Sequence, residues 1–207
     1  MIIGITGSIG SGKTTAAKIF SKHHFARIDA DEIGHEIIKR NSAAYKKILN
    51  EFGNGILDKN KDIDRKKLGD IVFNDGKKLR ILNSITHPII INEIKKQIKK
   101  IKNKCGINAK IIVDAPLLLE TKAQDLVDRI IIVKPGKQDV LKKLNKKYPK
   151  EKIEKILKAQ MPPDEKLKHA DFVIENSKDV KHLENQVIGI IKIIENKNEN
   201  RSLPRNF

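Results

Sequence analysis

Cysteine is almost absent from this chain: Cys105 is the one thiol in 207 residues. A single thiol excludes an internal disulfide framework and a cysteine-based zinc site, and it favours a reducing, cytoplasmic setting. Trp is missing and only two Tyr are present, so the aromatic platforms on which single-stranded nucleic acids stack are scarce. No apolar run approaches the roughly 18–20 residues that span a bilayer, and no membrane association is expected. The opening MIIGIT has no basic segment before it and no small-residue cleavage site behind it, so it does not read as a signal peptide.

Acidic residues are also in deficit. The net charge is +17, a value that by itself points towards nucleic acid. Of the 43 basic residues, however, only seven are Arg, and the Lys are spread along the whole chain. A solvated, Lys-rich surface accounts for this better than a nucleic-acid site, although the charge helps to attract anionic ligands such as ATP. A nucleic-acid partner is therefore not expected, and the chain is expected to act as a monomer.

Hydrophobic residues make up 39% of the chain, enough for one sizeable core in a domain of this length. Ile2–Thr6 reads as a buried strand, and Lys13–Lys22 has helical spacing. Further strands are expected at Phe25–Asp29, Ala109–Val113, Arg129–Val133 and Asp171–Ile174, with a closing helix at Val180–Glu195. Strands alternating with helices predict a five-stranded parallel sheet covered on both faces, an α/β architecture in three layers. Between the second and third strands, about 42–104, the pattern is helical, with breaks at Gly53–Asp62, near Asn74–Gly76 and at His87-Pro88. This is the natural place for an acceptor-binding lobe. A helix pair at about 138–160 is the natural lid, and a frayed polar tail is expected over 196–207. No linker divides the chain, so 1–207 reads as a single domain.

Gly7-Ser-Ile-Gly-Ser-Gly12-Lys13-Thr14 matches the phosphate-loop pattern G-x-x-x-x-G-K-[ST] in full. A loop that wraps phosphates closely leaves no room for side chains, hence Gly7, Gly10 and Gly12. Its backbone N–H groups face the anion, and the following helix adds the positive end of its dipole. Lys13 supplies a mobile point charge for the β- and γ-phosphates of ATP. The Thr14 hydroxyl is placed to ligate Mg²⁺. Asp114, ending an apolar strand, either holds the same Mg²⁺ directly or through water or caps the turn at Ala115-Pro116. Asp29-Ala30-Asp31 follows the second strand. In a parallel sheet it lies on the edge that carries the cradle. Asp31 fits both a residue orienting an acceptor hydroxyl and a helix N-cap.

Taken together, Thr6–Thr15, D-A-D-x-x-x-H at Asp29–His35, R-x-x-L-G at Arg65–Gly69, T-H-P at Thr86–Pro88, D-x-P-L-L-x-E at Asp114–Glu120, Gln160, and A-D-x-V-I-x-N at Ala170–Asn176 resemble the dephospho-CoA kinases, over roughly residues 1–187. The resemblance implies a P-loop kinase fold and transfer of the ATP γ-phosphate to the ribose 3′-hydroxyl of dephospho-CoA, with Mg²⁺. It makes Asp31 the residue that takes or orients the hydroxyl proton, and it has Lys13 stabilise the transferring phosphoryl group. Gly10, Ser11, Gly12, Lys13, Thr14 and Thr15 become the ATP cradle, and Asn176 the residue near adenine. His87-Pro88 would belong to the acceptor lobe. His35 lies one helical turn past Asp31, so both can face one site. For His35 and His87, ligand contact stands beside a structural role. Arg65 and Arg80 are candidates for the acceptor's acidic groups, because a guanidinium matches phosphate bidentately. A surface ion pair is the alternative.

The chain departs from the family in its lid, where R-x-x-x-R is replaced by Lys143-Leu-Asn-Lys-Lys147. Lys keeps the charge and loses the planar fork. Lys143 or Lys147 is expected to approach the phosphates on closure, with Lys143 expected to take part in catalysis. Two other readings compete: a P-loop kinase for a different small molecule, and a nucleic-acid-stimulated ATPase or GTP switch. A GTP switch needs the guanine-reading N-K-x-D, and Asn60-Lys61-Asp62-Ile63 has Ile where the last Asp belongs.

Overall fold

A computed structural model of the chain describes residues 1–136, 153–155, 157 and 160–202, with side chains to residue 196. The expected lid, including Lys143 and Lys147, lies almost wholly outside the described residues. Strand β1 (Ile2–Thr6) is buried along its whole length, as a β-branched run in the middle of a parallel sheet should be. It pairs with β3 (Ile111–Asp114) on one side and β4 (Arg129–Pro135) on the other. β2 (Ala26–Asp29) and β5 (Phe172–Asn176) complete the order β2-β3-β1-β4-β5, all parallel. The five strands therefore release their chains at one edge of the sheet, at Thr6, Asp29, Asp114, Pro135 and Asn176.

Helices cover both faces. On one, α1 (Lys13–Lys22) and the closing helix, α7 (Val180–Ser202), pack Ala16, Phe20, Leu183 and Val187 onto Ile3, Ile5 and Ile131. On the other, α2 (Ala30–Ile37) and the C-terminal half of α5 (Gly76–Cys105) pack Ile33, Ile94 and Ile98 onto Ile28, Ile111 and Val113. A short helix, α6 (Pro163–Leu167), precedes β5. The closing helix continues past Asn196, where the sequence reading begins its frayed tail.

The segment between α2 and β3 forms a third core of its own. Helices α3 (Ala43–Phe52) and α4 (Arg65–Asn74), with the N-terminal half of α5, enclose Ala44, Ile48, Ile56, Leu68 and Val72. Three N-caps define these helices. Ser42, Asp64 and Asp75 each accept backbone N–H groups of the first turn, filling acceptor roles that a helix N-terminus otherwise leaves to water. The break expected at His87-Pro88 does not occur, because α5 runs through Pro88 without interruption. Pro88 cannot donate to the carbonyl of Ser84, but both residues are exposed, so solvent can satisfy that oxygen, and packing on two cores outweighs the local cost.

Ile48 is fully buried at the centre of this third core. Ile48→Ala is expected to lower the unfolding free energy by about 2–5 kcal/mol, measured by urea denaturation. A loss below about 1 kcal/mol would mean that the site collapses around the deletion.

Candidate active site

The strands place the sheet's C-terminal edge, and close approaches at two glycines seat the loops after β3 and β1 on it. A Cβ on Gly4 would lie 2.4 Å from Leu118 Cδ2, so glycine is what lets the loop after β3 pack over β1. Gly12 has φ +88°, and a Cβ there would meet the Asn176 amide nitrogen at 2.2 Å. That amide donates to the Ser11 carbonyl at 2.9 Å. Asn176 thus touches the backbone of the cradle itself. Gly12 is also the N-cap residue of α1 and offers no side chain to the first turn, which leaves those N–H groups for an anion. Among the described residues, Ser11 Oγ is buried with no partner. Gly10 and Thr15 are exposed, and Thr14 half-buried, at the mouth of the loop.

Lys13 reaches over this edge. Its ammonium lies 3.8 Å from Asp31 Oδ2 and 3.8 Å from Asp114 Oδ1. Asp114 is buried, and among the described residues its Oδ1 has no hydrogen-bond partner. Its other oxygen accepts from Arg27 Nη2 at 2.6 Å, and the same nitrogen reaches Asp29 Oδ2 at 2.5 Å. Arg27 had no place in the sequence reading. It stands on β2 two residues before Asp29, and only the register Asp29↔Asp114 between neighbouring strands reveals its role.

The N-cap that the sequence left open for Asp31 belongs to Asp29, whose Oδ1 accepts the N–H groups of Asp31 and Glu32 at 3.0 and 3.1 Å. The Asp31 carboxylate is therefore free for other work in the first turn of α2. The side chain is still 59% exposed, and partial desolvation by the surrounding protein holds it above the usual carboxylate range. Lys13 and His35 oppose this shift, whereas Asp29 and Asp114 add to it.

Asp31 also lines a cavity of about 420 Å³, within the size range of small-molecule sites. His35, Arg65, His87 and Gln160 line it too, together with apolar side chains of the third core such as Leu68, Leu79 and Leu82. Burial pushes the His87 imidazole down, against an opposing pull from Glu120, so the ring is neutral at pH 7. Arg80 is exposed on α5 and is not among the lining residues. Of the acceptor-side residues picked out in the sequence, the structure thus brings His35, Arg65 and His87 to the cavity with Asp31 and leaves Arg80 out of its lining.

No described cluster of three or more His, Cys, Asp or Glu could hold a metal by protein ligands alone. The donors that are present suit a cation held mainly by phosphates and water. Asp114 Oδ1 is a buried acceptor with no hydrogen-bond partner among the described residues, and the Thr14 hydroxyl lies in the adjacent cradle. The residues therefore fit Mg²⁺ bound with a nucleotide.

The family model for dephospho-CoA kinase matches residues 1–182. A dephospho-CoA kinase from Carboxydothermus hydrogenoformans is 42% identical over 193 residues, covering 92% of this chain and 93% of that protein. Among solved structures, a dephospho-CoA kinase from Campylobacter jejuni is 32% identical with a TM-score of 0.69, covering 95% of this chain and 98% of that one. A shikimate kinase from Bacteroides thetaiotaomicron, 15% identical with a TM-score of 0.51 over 94% of this chain and 98% of that one, shares the fold.

Because the Asp31 pKa is higher folded than unfolded, ionising it opposes folding. Stability is lost as pH rises from the ordinary carboxylate value through the raised one. Asp31→Asn should therefore melt above the wild type at pH 7, with the gap closing below the ordinary carboxylate range. A lower melting temperature at pH 7 in thermal denaturation would contradict this.

Proposed function

The chain belongs to the dephospho-CoA kinase family and phosphorylates dephospho-CoA to CoA at the expense of ATP, and we propose that the C-terminal edge of its sheet performs the transfer with Asp31 and Lys13 as the reacting side chains. The observation that carries this reading is the position of Lys13. Its ammonium stands between a carboxylate that lines the apolar cavity and a buried carboxylate beside the phosphate loop. Donor and acceptor halves meet at that one cation.

ATP is held by Gly10, Ser11, Gly12, Lys13, Thr14 and Thr15 through backbone N–H groups and the α1 dipole. Asn176, bonded to Ser11, braces this cradle beside the adenine end. Dephospho-CoA occupies the cavity, with Arg65 at its rim and Arg80 just outside it, suited to the acceptor's diphosphate. His35 and His87 line the walls, and the neutral His87 ring is available for hydrogen bonding. The acceptor hydroxyl, the ribose 3′-OH, gives its proton to the Asp31 carboxylate as its oxygen bonds to the γ-phosphorus and the bond to the ADP oxygen breaks. Lys13 stabilises the charge that spreads over the transferring oxygens. Mg²⁺ would be held by Thr14, with Asp114 behind it, and would neutralise charge on the phosphates. The raised pKa of Asp31 brings its basicity closer to that of a working base at neutral pH.

In a coupled ADP-release assay, the wild type should turn over dephospho-CoA in preference to a panel of nucleosides and nucleotides. Asp31→Asn should lower kcat by about 10²–10⁴-fold. The acid limb of the wild-type kcat/KM profile, which reports the free enzyme, should lie above the ordinary carboxylate range. Wild-type turnover with nucleosides and none with dephospho-CoA would overturn the acceptor assignment, and an unaffected Asp31→Asn would overturn the base.

Leu79→Glu places a carboxylate in the apolar cavity facing an anionic acceptor. It should raise KM for dephospho-CoA about 10-fold or more, with KM for ATP changing less than about 3-fold. An unchanged acceptor KM would place dephospho-CoA elsewhere.

A further inference from the structure

The loop after β3 and the helix α6 meet in a buried ion pair that the transfer reaction leaves unused. Lys166 is 1% exposed. Its ammonium lies 2.9 Å from Glu120 Oε1 and donates to the Pro116 carbonyl at 3.1 Å. The same Glu120 oxygen accepts the backbone N–H of Met161 at 2.8 Å. Removing two charges from water costs about as much as their attraction returns, so the pair is a poor device for stabilising the fold. What it does supply is position. It ties the loop 115–121 to residues 160–166, two segments far apart in sequence.

Both segments belong to the wall of the cavity. Pro116, Leu117 and Thr121 line it from the loop, and Gln160 lines it from the other segment. Glu120 and Thr121 also line a second cavity of about 680 Å³, which shares His87 and Thr121 with the first. The Pro116 carbonyl that receives Lys166 accepts as well from Thr6 Oγ1, at 3.0 Å. Thr6 is the residue before Gly7, where the phosphate loop begins. One carbonyl thus sets the cavity wall against the cradle.

We propose that Lys166 and Glu120 are positioning residues for the acceptor. They fix the wall formed by Pro116, Thr121 and Gln160 as one preformed surface, in register with the phosphate loop. Neither side chain needs to touch the reacting atoms. The inference rests on the reading of this cavity as the acceptor site.

The test compares steady-state kinetics and melting temperature for three variants and a control. Lys166→Met with Glu120→Leu removes both charges, so no unpaired ion stays buried. This double variant should melt within about 5 °C of the wild type. Its KM for dephospho-CoA should rise about 10-fold or more, with KM for ATP changing less than about 3-fold. Glu120→Asp keeps the pair but withdraws the carboxylate by one methylene. It should show the same selective rise, and it serves if the double variant does not fold. Glu120→Gln keeps an Oε1 acceptor for both Lys166 and Met161, and should hold the acceptor KM within about 3-fold of the wild type. An unchanged acceptor KM in the double variant and Glu120→Asp, an equal rise in both KM values, or a Glu120→Gln as impaired as the double variant would each overturn the proposal. Leu79→Glu separates this failure from that of the underlying reading. If it too leaves the acceptor KM unchanged, the cavity is not the acceptor site and both fall. If it raises that KM while the pair variants do not, the positioning role alone falls.

Discussion

Asp29 and Asp114 end adjacent parallel strands side by side, and a single nitrogen, Nη2 of Arg27, bonds to both. Three carboxylates crowd this edge once Asp31 is counted, and Arg27 together with Lys13 lets them coexist. Because Arg27 occupies only one oxygen of each partner, the others are free for separate tasks. Asp29 Oδ1 starts the helix that carries Asp31, and Asp114 Oδ1 faces Lys13 without a hydrogen bond. The division of labour between the carboxylates follows from how the guanidinium sits.

Two further contacts register the nucleotide loop against its surroundings. Asn176, at the end of the edge strand β5, reaches the Ser11 carbonyl, while Thr6, at the end of the central strand, reaches the Pro116 carbonyl. Each joins the loop after β1 to a different strand or loop of the same edge. The glycine at position 12 serves both backbone and packing, since its positive φ and the amide pressed against it each exclude a side chain.

Much of this was legible from the chain, for reasons that differ by residue. β1 and the phosphate loop are local patterns, and a run of residues suffices to read them. Asp31 was legible because parallel strands share an edge, so its place after β2 implied its neighbours. Arg27 was not, because its meaning lies in a cross-strand register, and a four-residue strand carries no signal of that. Lys166 was hidden by composition: in a Lys-rich chain nothing marks a lysine on α6 as buried against the loop after β3. Asp29 took the N-cap that Asp31 might equally have filled from its sequence position, since capping depends on a backbone conformation that the string D-A-D does not state. The expected break at Pro88 failed because tertiary packing overrode a local preference.

Helix α5, at about 1.5 Å per residue, is a rod roughly 45 Å long. Its first half helps to enclose the third core and its second half lies in the core of the sheet. A lobe hung on flexible connections can swing as a door does. This one shares a beam with the sheet, so moving it as a body would shear two close-packed cores at once. The cavity is thereby built as an anvil: its fixed reference is the beam and the strands under it, a surface that stays where folding put it.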